Sequence, residues 1–517
     1  MAQAEEILAL THPVFYSLSR LHCDPGDSCQ AVPGLIAPYN VLGMPDFEAV
    51  VGLEVHLHLK TSSKMFCGCD ASYFGEAPNT HTCPVCLGLP GVLPSVNAQA
   101  VDYGILFGLA LNCQIAPWTQ FHRKSYYYPD MPKNYQISQY DLPIAGHGYL
   151  EVEGQKVRIK RVHLEEDAAK STHPDSANYS LIDLNRAGSP LIEMVTEPDI
   201  HNPEQARVFL SHIRAIAQTL GVSDANPEEG KMRADVNVSL RRPGGELGTK
   251  VEIKNLNSFR SVVRALEFEI RRQQEILRSG RRVEQATLGW DEAAGRTYVM
   301  RLKEGEADYR YFPDPDLPPI VVDQTWLNRL RAALPELPAQ KYTRYVETGL
   351  RPYDAEILAY NTPQARFFDR ALIAYQGSPQ TIANLLNGEV AGYLNERRLE
   401  VHQTALEPEN LARLAGLFER REITNRVLSL LLPEVMEGAD PLRLVEEQGL
   451  RSVSDEGSLR PIVERVVAAN PSVVEQVKGG NLKAANALLG PIMKETRGTA
   501  KADVVKKMLS EMLGVEL

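Results

Sequence analysis

Two segments of the chain alternate strictly between apolar and polar or ionisable residues, and this alternation constrains the fold more than any other feature. In residues 53–60 (LEVHLHLK) every second residue is apolar, and residues 232–240 (MRADVNVSL) repeat that period. Successive side chains of a strand point to opposite faces of a sheet, so a period of two is typical of a half-buried strand. The alternation therefore predicts an antiparallel sheet with one apolar and one charged face.

Helical patterns interleave with these strands and later replace them. Asn202-Pro203 predicts the start of one helix and Gly221 its end, and a second helix is predicted from about residue 258 to 279, with Phe259, Val263 and Leu266 facing inward. After residues 335–338 (PELP) the strand alternation ends, and helical patterns continue to Leu517. The predicted fold class is α+β, with an all-α second half.

Composition and charge exclude several classes of protein. The 517 residues suffice for two to four domains at roughly 100–200 residues each, and 44% hydrophobic and 23% charged residues are typical of a globular chain. A net charge of −11 argues against a histone-like nucleic-acid coat. No apolar run approaches the roughly 20 residues of a bilayer span, and the N-terminus is acidic, so we predict a cytoplasmic protein without a membrane partner.

Residues 1–44 differ from the remainder of the chain. They contain four prolines and two scattered cysteines, and no periodic pattern is sustained. We expect either a poorly ordered N-terminal extension or a translation start that has been placed too early.

The most specific local motif is a group of four cysteines. Cys67 and Cys69 are separated by one residue, and Cys83 and Cys86 follow with two residues between them. Two close pairs can supply four thiolates to a tetrahedral Zn²⁺, so the spacing predicts a structural zinc site; free or disulfide-bonded thiols are the alternative. A closed four-cysteine site has no open position, and we assign it no catalysis.

A second group consists of ionisable residues on the strands. Glu54 and His56 lie one pleat apart on the same face, Glu165 begins an acidic run, and Glu193 interrupts an apolar segment. An ionised carboxylate in an apolar run is costly unless a cation or hydrogen bonds compensate it. Oxygen-rich groups favour Mg²⁺, which commonly binds nucleotide phosphates. The alternative is that these are ordinary acids on a solvated sheet.

Several common catalytic motifs are absent from the sequence. It contains no GxxxxGK[ST], so any ATP is not bound by a P-loop, and no GxGxxG at a strand-to-helix turn. It also lacks the GxSxG motif, and we see no nucleophile for serine-hydrolase chemistry.

Six longer segments resemble the GatB family, the B subunits of the aspartyl/glutamyl-tRNA amidotransferases. The resemblance extends from about residue 46 to the C-terminus. The segments are residues 51–56 (VGLEVH), 123–130 (RKSYYYPD), 131–139 (MPKNYQISQ), 165–170 (EEDAAK), 184–193 (LNRAGSPLIE) and 308–316 (DYRYFPDPD).

The resemblance implies a fold and a reaction. It implies a glutamine-synthetase-like cradle (kinase/transamidase) domain with the zinc cluster at residues 45–336, a helical domain at 337–449 and a YqeY-like, tRNA-binding helical tail at 450–517. The reaction would be ATP-dependent amidation of Asp mischarged on tRNA(Asn), Glu mischarged on tRNA(Gln), or both. A GatA-type glutaminase subunit would supply the ammonia, and a GatC-type small subunit would complete a heterotrimer.

The resemblance also implies roles for individual residues. The Mg²⁺ positions of the family match Glu54, His56, Glu165 and Glu193. Positions that line its ammonia route match Lys124, Lys133, Glu166 and Asp235, and structural ion pairs are the alternative. In the tail, seven basic residues against four acidic ones follow residue 477, and a solvated helix is the alternative to tRNA binding there. The tRNA-binding candidates are Lys494, Arg497, Lys501, Lys506 and Lys507.

Two other functions stay open on the sequence alone. One is a non-catalytic, zinc-containing scaffold that binds tRNA, which the cysteines and the basic tail would suit. The other is a carboxylate–amine ligase of the glutamine synthetase type that acts on a small molecule. The sequence does not discriminate between Asp-tRNA(Asn) and Glu-tRNA(Gln) as the substrate.

Overall fold

A computed structural model of the chain describes residues 46–174, 177–302 and 309–515. The predicted extension at residues 1–44 lies outside the described residues. Within them, strands are confined to the first part of the chain, up to residue 321, and the remainder of the chain is helical. The prediction of an α+β chain with an all-α second half is therefore confirmed.

The strands are short, apart from those at the centre of the largest sheet. In chain order they are β1 (Glu48–His58), β2 (Gln114–Ile115), β3 (Trp118–Thr119), β4 (His122–Ser125), β5 (Tyr135–Ser138), β6 (Ala145–Val152), β7 (Gln155–Glu166), β8 (Lys170–Thr172), β9 (Leu181–Asp183), β10 (Pro190–Thr196), β11 (Met232–Arg241), β12 (Val251–Lys254), β13 (Ala286–Asp291), β14 (Arg296–Leu302), β15 (Phe312–Pro313) and β16 (Ile320–Val321).

Three helices belong to the strand-containing part and the others come after it. They are α1 (Ala98–Ala110), α2 (Pro203–Leu220), α3 (Phe259–Arg278), α4 (Gln324–Ala332), α5 (Pro338–Glu347), α6 (Pro352–Ala359), α7 (Thr362–Ile373), α8 (Pro379–Leu385), α9 (Ala391–Arg397), α10 (Pro408–Glu419), α11 (Asn425–Met436), α12 (Pro441–Glu447), α13 (Glu456–Ala469), α14 (Pro471–Lys478), α15 (Asn486–Glu495) and α16 (Ala502–Leu513). None of the helices in the described ranges combines the length and apolar composition needed to cross a membrane.

Nine strands form one large sheet in the order β14-β13-β12-β11-β1-β10-β7-β6-β2. All neighbouring pairs are antiparallel except β12 and β13, which are parallel. The predicted antiparallel sheet is therefore confirmed, with one parallel pair. Because β1 lies between β11 and β10, strands that are far apart in sequence become neighbours at the centre.

The two faces of the central strands follow the alternation in the sequence. Leu53, Val55 and Leu57 of β1 are buried in a core that also contains residues of α1, α2 and α3. The intervening Glu54, His56 and His58 therefore lie on the opposite face. Because helices cover the apolar face of the sheet, a site on these strands must lie on the charged face.

Helix α2 begins and ends as predicted and also contacts the second half of the chain. The Asn202 side chain accepts a hydrogen bond from the Gln205 N–H at 2.8 Å, and Gly221 adopts a left-handed φ of 70°, which suits a glycine after a helix. Further along, the ring of His212 stacks on that of Tyr360 with centroids 3.5 Å apart. Burial lowers the pKa of His212 to about 4, so the imidazole is neutral in this contact.

Helix α3 has the predicted extent, but its buried face differs from the prediction. Ser258 caps its N-terminus by accepting from the Ser261 N–H at 3.0 Å. Leu266 is buried as expected, whereas Phe259 and Val263 are only partly buried and Val262 takes an inward position. The polar residues Glu269 and Gln273 share the inward face.

Buried apolar residues of the described ranges form three large clusters along the chain. The first joins the sheet to α1, α2 and α3 and includes residues up to Leu330. The second extends from Tyr345 to Leu450, and the third from Leu459 to Leu513. Each part of the helical half therefore has a core of its own.

Candidate active site and metal centre

The register of three central strands places a histidine, a carboxylate and a second histidine in one row. His56 of β1 lies opposite Glu193 of β10, and Glu193 lies opposite His163 of β7. Residues paired across an antiparallel ladder have Cβ atoms about 4.5–5.5 Å apart, so the three side chains meet on the charged face. Glu165 stands one pleat beyond His163 on the same face.

These four side chains form a compact, mostly buried centre. Glu193 Oε2 lies 3.4 Å from His56 Nε2 and 3.5 Å from His163 Nε2, and Glu165 Oε2 lies 3.6 Å from His163 Nε2. Ligand atoms of His56, Glu165 and Glu193 all lie within 4.8 Å of one another. Two carboxylates and an imidazole at this spacing suit a hard divalent cation.

The centre contains two buried carboxylates, and its histidines respond to their charge. Although burial opposes the imidazolium form, Glu193 and Glu165 raise the pKa of His163 to about 9 and also raise the pKa of His56. In turn, despite its own burial, Glu193 has a pKa well below the usual range because the two imidazoles stabilise its charge. The two carboxylates therefore need compensating positive charge. Arg161, which lies 3.4 Å from Glu193, supplies part of it, and the imidazolium groups or a bound cation can supply the rest.

The structure places Glu54 in a neighbouring acidic group and not with His56. Glu54 lies opposite Asp235 of β11, and together with Glu252 of β12 they bring oxygens within 4.8 Å of one another. Lys254 contacts Asp235 and lies 2.9 Å from Glu252. The Asn237 amide donates to Glu54 at 2.9 Å. The four proposed Mg²⁺ residues thus occupy two adjacent groups, with Asp235 in the second.

Lys124 of β4 faces the first group. Burial alone would lower its pKa, but the charges of Glu165, Tyr311 and Glu193 raise the pKa of Lys124. The ammonium lies 4.9 Å from the ring centroid of Tyr309, where the ring face attracts a cation. Lys124 is therefore a cationic side chain at the edge of the acidic centre.

Lys133 and Glu166 form a separate buried ion pair beside a cavity. Lys133 Nζ lies 2.5 Å from Glu166 Oε2, and the two side chains are only 10% and 2% exposed. The Ile137 N–H donates to Glu166 Oε1 at 2.9 Å. The cavity has a volume of about 100 Å³, and its lining includes Cys67, Cys86, Lys133 and Glu166. The ion pair therefore forms part of the cavity wall at the end of β7.

The four cysteines meet as their spacing predicts. One sulfur from each of Cys67, Cys69, Cys83 and Cys86 lies within 4.8 Å of the others, and no cysteine in the described part of the chain forms a disulfide. The Cys83 N–H donates to Cys86 Sγ at 3.1 Å, and a hydrogen bond from Cys67 is the main cause that lowers the pKa of Cys86 to about 4. Four converging sulfurs, one of which favours the thiolate, fit a tetrahedral Zn²⁺.

A glycine two residues after Cys86 connects this cluster to the Lys133–Glu166 pair. Gly88 has a left-handed φ of 65°, and a Cβ built on it would lie 2.5 Å from Lys133 Cγ. No real side chain tolerates that approach, so Gly88 lets the cysteine turn pack directly on Lys133.

The basic residues of the tail lie near the connection between α15 and α16. Lys494 is near the end of α15, Arg497 is in the turn after that helix, and Lys501, Lys506 and Lys507 belong to the start and first turns of α16. All are exposed except the half-buried Lys501. Lys507 is already paired with Glu456 at 3.3 Å, which reduces its value as a phosphate contact.

Sequence reasoning missed several residues that the structure places at the site. His163 belongs to the centre, and its spacing of two from Glu165 in β7 would have indicated a shared face. Glu252 and Lys254 belong to the second group. Asp167 was also missed as the centre of a network: its Oδ2 lies 2.8 Å from both His58 Nε2 and Arg233 Nη2. Nothing in its acidic run distinguished it.

Matches to family models define the class of protein. The model described as the GatB/GatE catalytic domain matches residues 49–328, which contain the sheet and all the centres described above except the basic tail. The model described as the GatB domain matches residues 366–513. The chain therefore consists of a GatB/GatE catalytic domain followed by a GatB domain.

Similar proteins narrow the class to one family. The chain is 60% identical over 469 residues to the B subunit of the aspartyl/glutamyl-tRNA(Asn/Gln) amidotransferase of Thermus thermophilus, and the match covers 91% of this chain and 100% of the relative. The corresponding subunit of Deinococcus radiodurans is 52% identical over 477 residues, with 91% and 100% covered, and that of Carboxydothermus hydrogenoformans is 48% identical over 480, with 91% and 99% covered. The chain belongs to the GatB family.

Proposed function

We propose that this chain catalyses the ATP-dependent amidation of Asp-tRNA(Asn), Glu-tRNA(Gln) or both. The observation that carries the proposal is the match over nine-tenths of the chain to relatives named as the B subunit of that amidotransferase, together with a buried carboxylate–histidine centre in the matching domain. The chain therefore acts on the side-chain carboxylate of a mischarged amino acid. A non-catalytic scaffold would not need a centre of this charge, and a small-molecule ligase would not need the helical half.

The reaction has two steps because a carboxylate is a poor electrophile. A side-chain carboxylate oxygen attacks the γ-phosphorus of ATP, forming an acyl phosphate and releasing ADP. Ammonia then attacks the carbonyl carbon, and phosphate leaves with the oxygen that came from the carboxylate. Positioning and charge neutralisation account for most of the catalysis in phosphoryl transfer.

The two acidic groups would hold the metal. His56, Glu165 and Glu193 form one candidate Mg²⁺ site, and Glu54 with Asp235 and Glu252 forms the neighbouring one. Bound Mg²⁺ would neutralise the phosphate oxygens and polarise the γ-phosphorus. Lys124, at the edge of the first group, is placed to bind the developing negative charge of the transferred phosphate. Lys254 pairs with both Asp235 and Glu252 and so fixes the positions of the two carboxylates.

The Lys133–Glu166 pair and the cavity beside it suit the delivery of ammonia. The cavity is large enough for a small neutral molecule, and its polar wall offers both a carboxylate and an ammonium. Glu166 can accept a hydrogen bond from ammonia, and the ion pair with Lys133 fixes the position of the carboxylate. The chain shows no hydrolase motif of its own, so a GatA-type glutaminase subunit is the proposed source, with a GatC-type small subunit completing the heterotrimer.

The remaining parts of the chain have supporting roles in this proposal. The cysteine cluster would bind structural Zn²⁺ next to the cavity and take no part in the chemistry. We place a glutamine-synthetase-like cradle domain at residues 45–336, a helical domain at 337–449 and a YqeY-like tail at 450–517; the three apolar cores support this division. The exposed basic residues at the end of the tail would contact tRNA phosphates.

One assay separates this function from its two alternatives. The chain, reconstituted with its glutaminase and small subunits, is given ATP with Asp-tRNA, with Glu-tRNA, or with free Asp or Glu. We expect ATP hydrolysis that a mischarged tRNA stimulates and a free amino acid does not. No nucleotide turnover would support the scaffold, and stimulation by free Asp or Glu would support the small-molecule ligase.

A further inference from the structure

Lys64 is a fully buried lysine in the loop after β1. Its ammonium donates to the carbonyl oxygens of His81 at 2.7 Å and Leu184 at 3.4 Å, and it lies 3.8 Å from Cys86 Sγ. Among the residues that the structure describes, no carboxylate pairs with it. A buried ammonium is costly unless both its hydrogen bonds and its charge are compensated. The carbonyls satisfy the hydrogen bonds, but the charge needs an anion.

The cysteine cluster supplies that anion when it holds a divalent cation. Four thiolates around Zn²⁺ carry a net double negative charge, which a buried cation next to one sulfur reduces. Cys86, the sulfur that Lys64 contacts, is the most buried of the four.

Lys64 also connects the three segments that surround the cluster. Its backbone N–H donates to the Cys69 carbonyl at 2.9 Å, which ties it to the first cysteine pair. Its side chain reaches His81, two residues before the second pair, and Leu184 at the start of a third loop.

The third loop brings this network to the proposed ammonia cavity. A Cβ on Gly188 would lie 3.5 Å from Cys86 Cβ, 3.6 Å from Lys64 Cδ and 3.8 Å from Glu166 Oε2. The side chains of Lys64, Cys86 and Glu166 therefore surround one glycine. A change in the position of Lys64 would therefore displace the part of the cavity wall that Glu166 and the cysteines form.

We propose that Lys64 is a positioning residue of the zinc site, which it holds against the loop of residues 184–188 by neutralising part of the charge of the zinc–thiolate cluster. This role rests on the zinc assignment made under the proposed function. If Lys64 served only as a hydrogen-bond donor to backbone carbonyls, removing its charge would not change the zinc affinity.

Substitution of Lys64 tests the role through zinc affinity. In the full chain, Lys64→Met should weaken zinc binding by roughly 10–100-fold, the usual effect of removing a group that supports metal ligands. Lys64→Arg, which keeps the charge, should restore part of that loss. The matched control is Lys60→Met, because Lys60 is 65% exposed and pairs with Asp224 outside the cluster. Competition with a chromophoric chelator measures all four proteins.

Stability gives a second readout. With zinc bound, Lys64→Met should lower the thermal midpoint relative to the wild type. After chelation, the cluster carries less negative charge, so Lys64→Met should lower the thermal midpoint by less than it does with zinc bound. Equal destabilisation with and without zinc, or an unchanged zinc affinity, would overturn the role of Lys64 alone. Wild-type chain with less than about half an equivalent of zinc would overturn the zinc assignment itself.

Should Lys64→Met fail to fold, the wild-type chain still tests the proposal. Brief acetylation followed by mass spectrometry should modify Lys64 much faster after zinc removal than before, while Lys60 reacts equally in both states. Equal protection of Lys64 in both states would contradict the coupling between its charge and the metal.

Discussion

Substituting Glu193 by glutamine is the most informative single change at the proposed metal centre. Glu193→Gln keeps the size of the side chain and removes its charge. The carboxylate lies 3.4 Å from His56, 3.5 Å from His163 and 3.4 Å from Arg161, and its side chain is only 11% exposed. Glu193 and Glu165 are the two carboxylates of the first group, so a bound cation would lose one of its two acidic ligands there.

The size of the effect can be worked from these distances. At an effective dielectric constant of about 20, two unit charges about 3.5 Å apart interact by roughly 5 kcal/mol, and a divalent cation would gain more. Water can replace the lost oxygen and recover part of this energy. We therefore expect kcat for amidation to fall by roughly 10²–10³-fold, or about 2.7–4 kcal/mol of transition-state stabilisation.

The assay compares two activities in the same reconstituted complex. Amide formation on mischarged tRNA should fall as stated, while glutamine hydrolysis by the glutaminase subunit should survive. Glu151→Gln is the matched control, because Glu151 is 64% exposed on β6 and should behave as the wild type. Amidation by a folded Glu193→Gln variant within about threefold of the wild type would refute the assignment of Glu193 to the metal.

Three further predictions test other parts of the molecule. Lys133→Met should destabilise the chain by about 3–5 kcal/mol in thermal or denaturant unfolding, because Glu166 would stay buried without its cation. Adding Glu166→Leu should recover most of this stability but no glutamine-dependent amidation. If Lys133→Met is as stable as the wild type, the ion pair does not stabilise the chain. Lys494→Ala combined with Lys506→Ala should reduce the slope of log Kd for tRNA against log salt by about 1.5, measured between roughly 50 and 200 mM salt; an unchanged slope would exclude both as phosphate contacts. Burial lowers the pKa of His212 to about 4 from 6.5, so the free energy of unfolding should be highest above pH 6.5 and fall by up to about 3 kcal/mol as the pH drops toward 4. His212→Phe should remove that part of the pH dependence. The same pH profile in His212→Phe and in the wild type would contradict the assignment to His212.

Local sequence patterns predicted those parts of the fold that depend on neighbours along the chain. The alternation in β1 and β11 predicted which face of each strand is apolar, and Asn202 and Gly221 predicted both ends of α2. The cysteine spacing predicted a cluster because both pairs lie within a single connection between β1 and α1. In each case the residues that determine the structure are close together in sequence.

The convergence of the acidic residues was not predictable in that way. Glu54 and His56 share a face, yet each meets a different neighbouring strand, so they enter different groups. That division depends on the strand order β11-β1-β10-β7, in which both neighbours of β1 are more than a hundred residues away from it in sequence. His163 was missed because the end of β7 is buried on both faces and the strand no longer alternates between buried and exposed residues there.

Tertiary contacts also explain the unexpected buried face of α3. Glu269 and Gln273 are fully buried although both are polar. Glu269 binds Arg272 at 2.7 Å, and the Gln273 amide donates to Glu269 and to the Val238 carbonyl of β11. A helical periodicity based on hydrophobicity cannot reveal this arrangement, because it depends on polar partners, one of which, the Val238 carbonyl, belongs to β11.

The central claim is that the acidic centre activates a tRNA-bound carboxylate by phosphorylation, and isotope transfer tests it most directly. Mischarged tRNA carrying ¹⁸O in the side-chain carboxylate is amidated by the complex, and the released phosphate is examined by mass spectrometry. The account predicts one ¹⁸O in phosphate for each amide formed, because phosphate leaves with a carboxylate oxygen. Amide formation that releases only unlabelled phosphate would contradict the acyl phosphate and with it the proposed role of the centre.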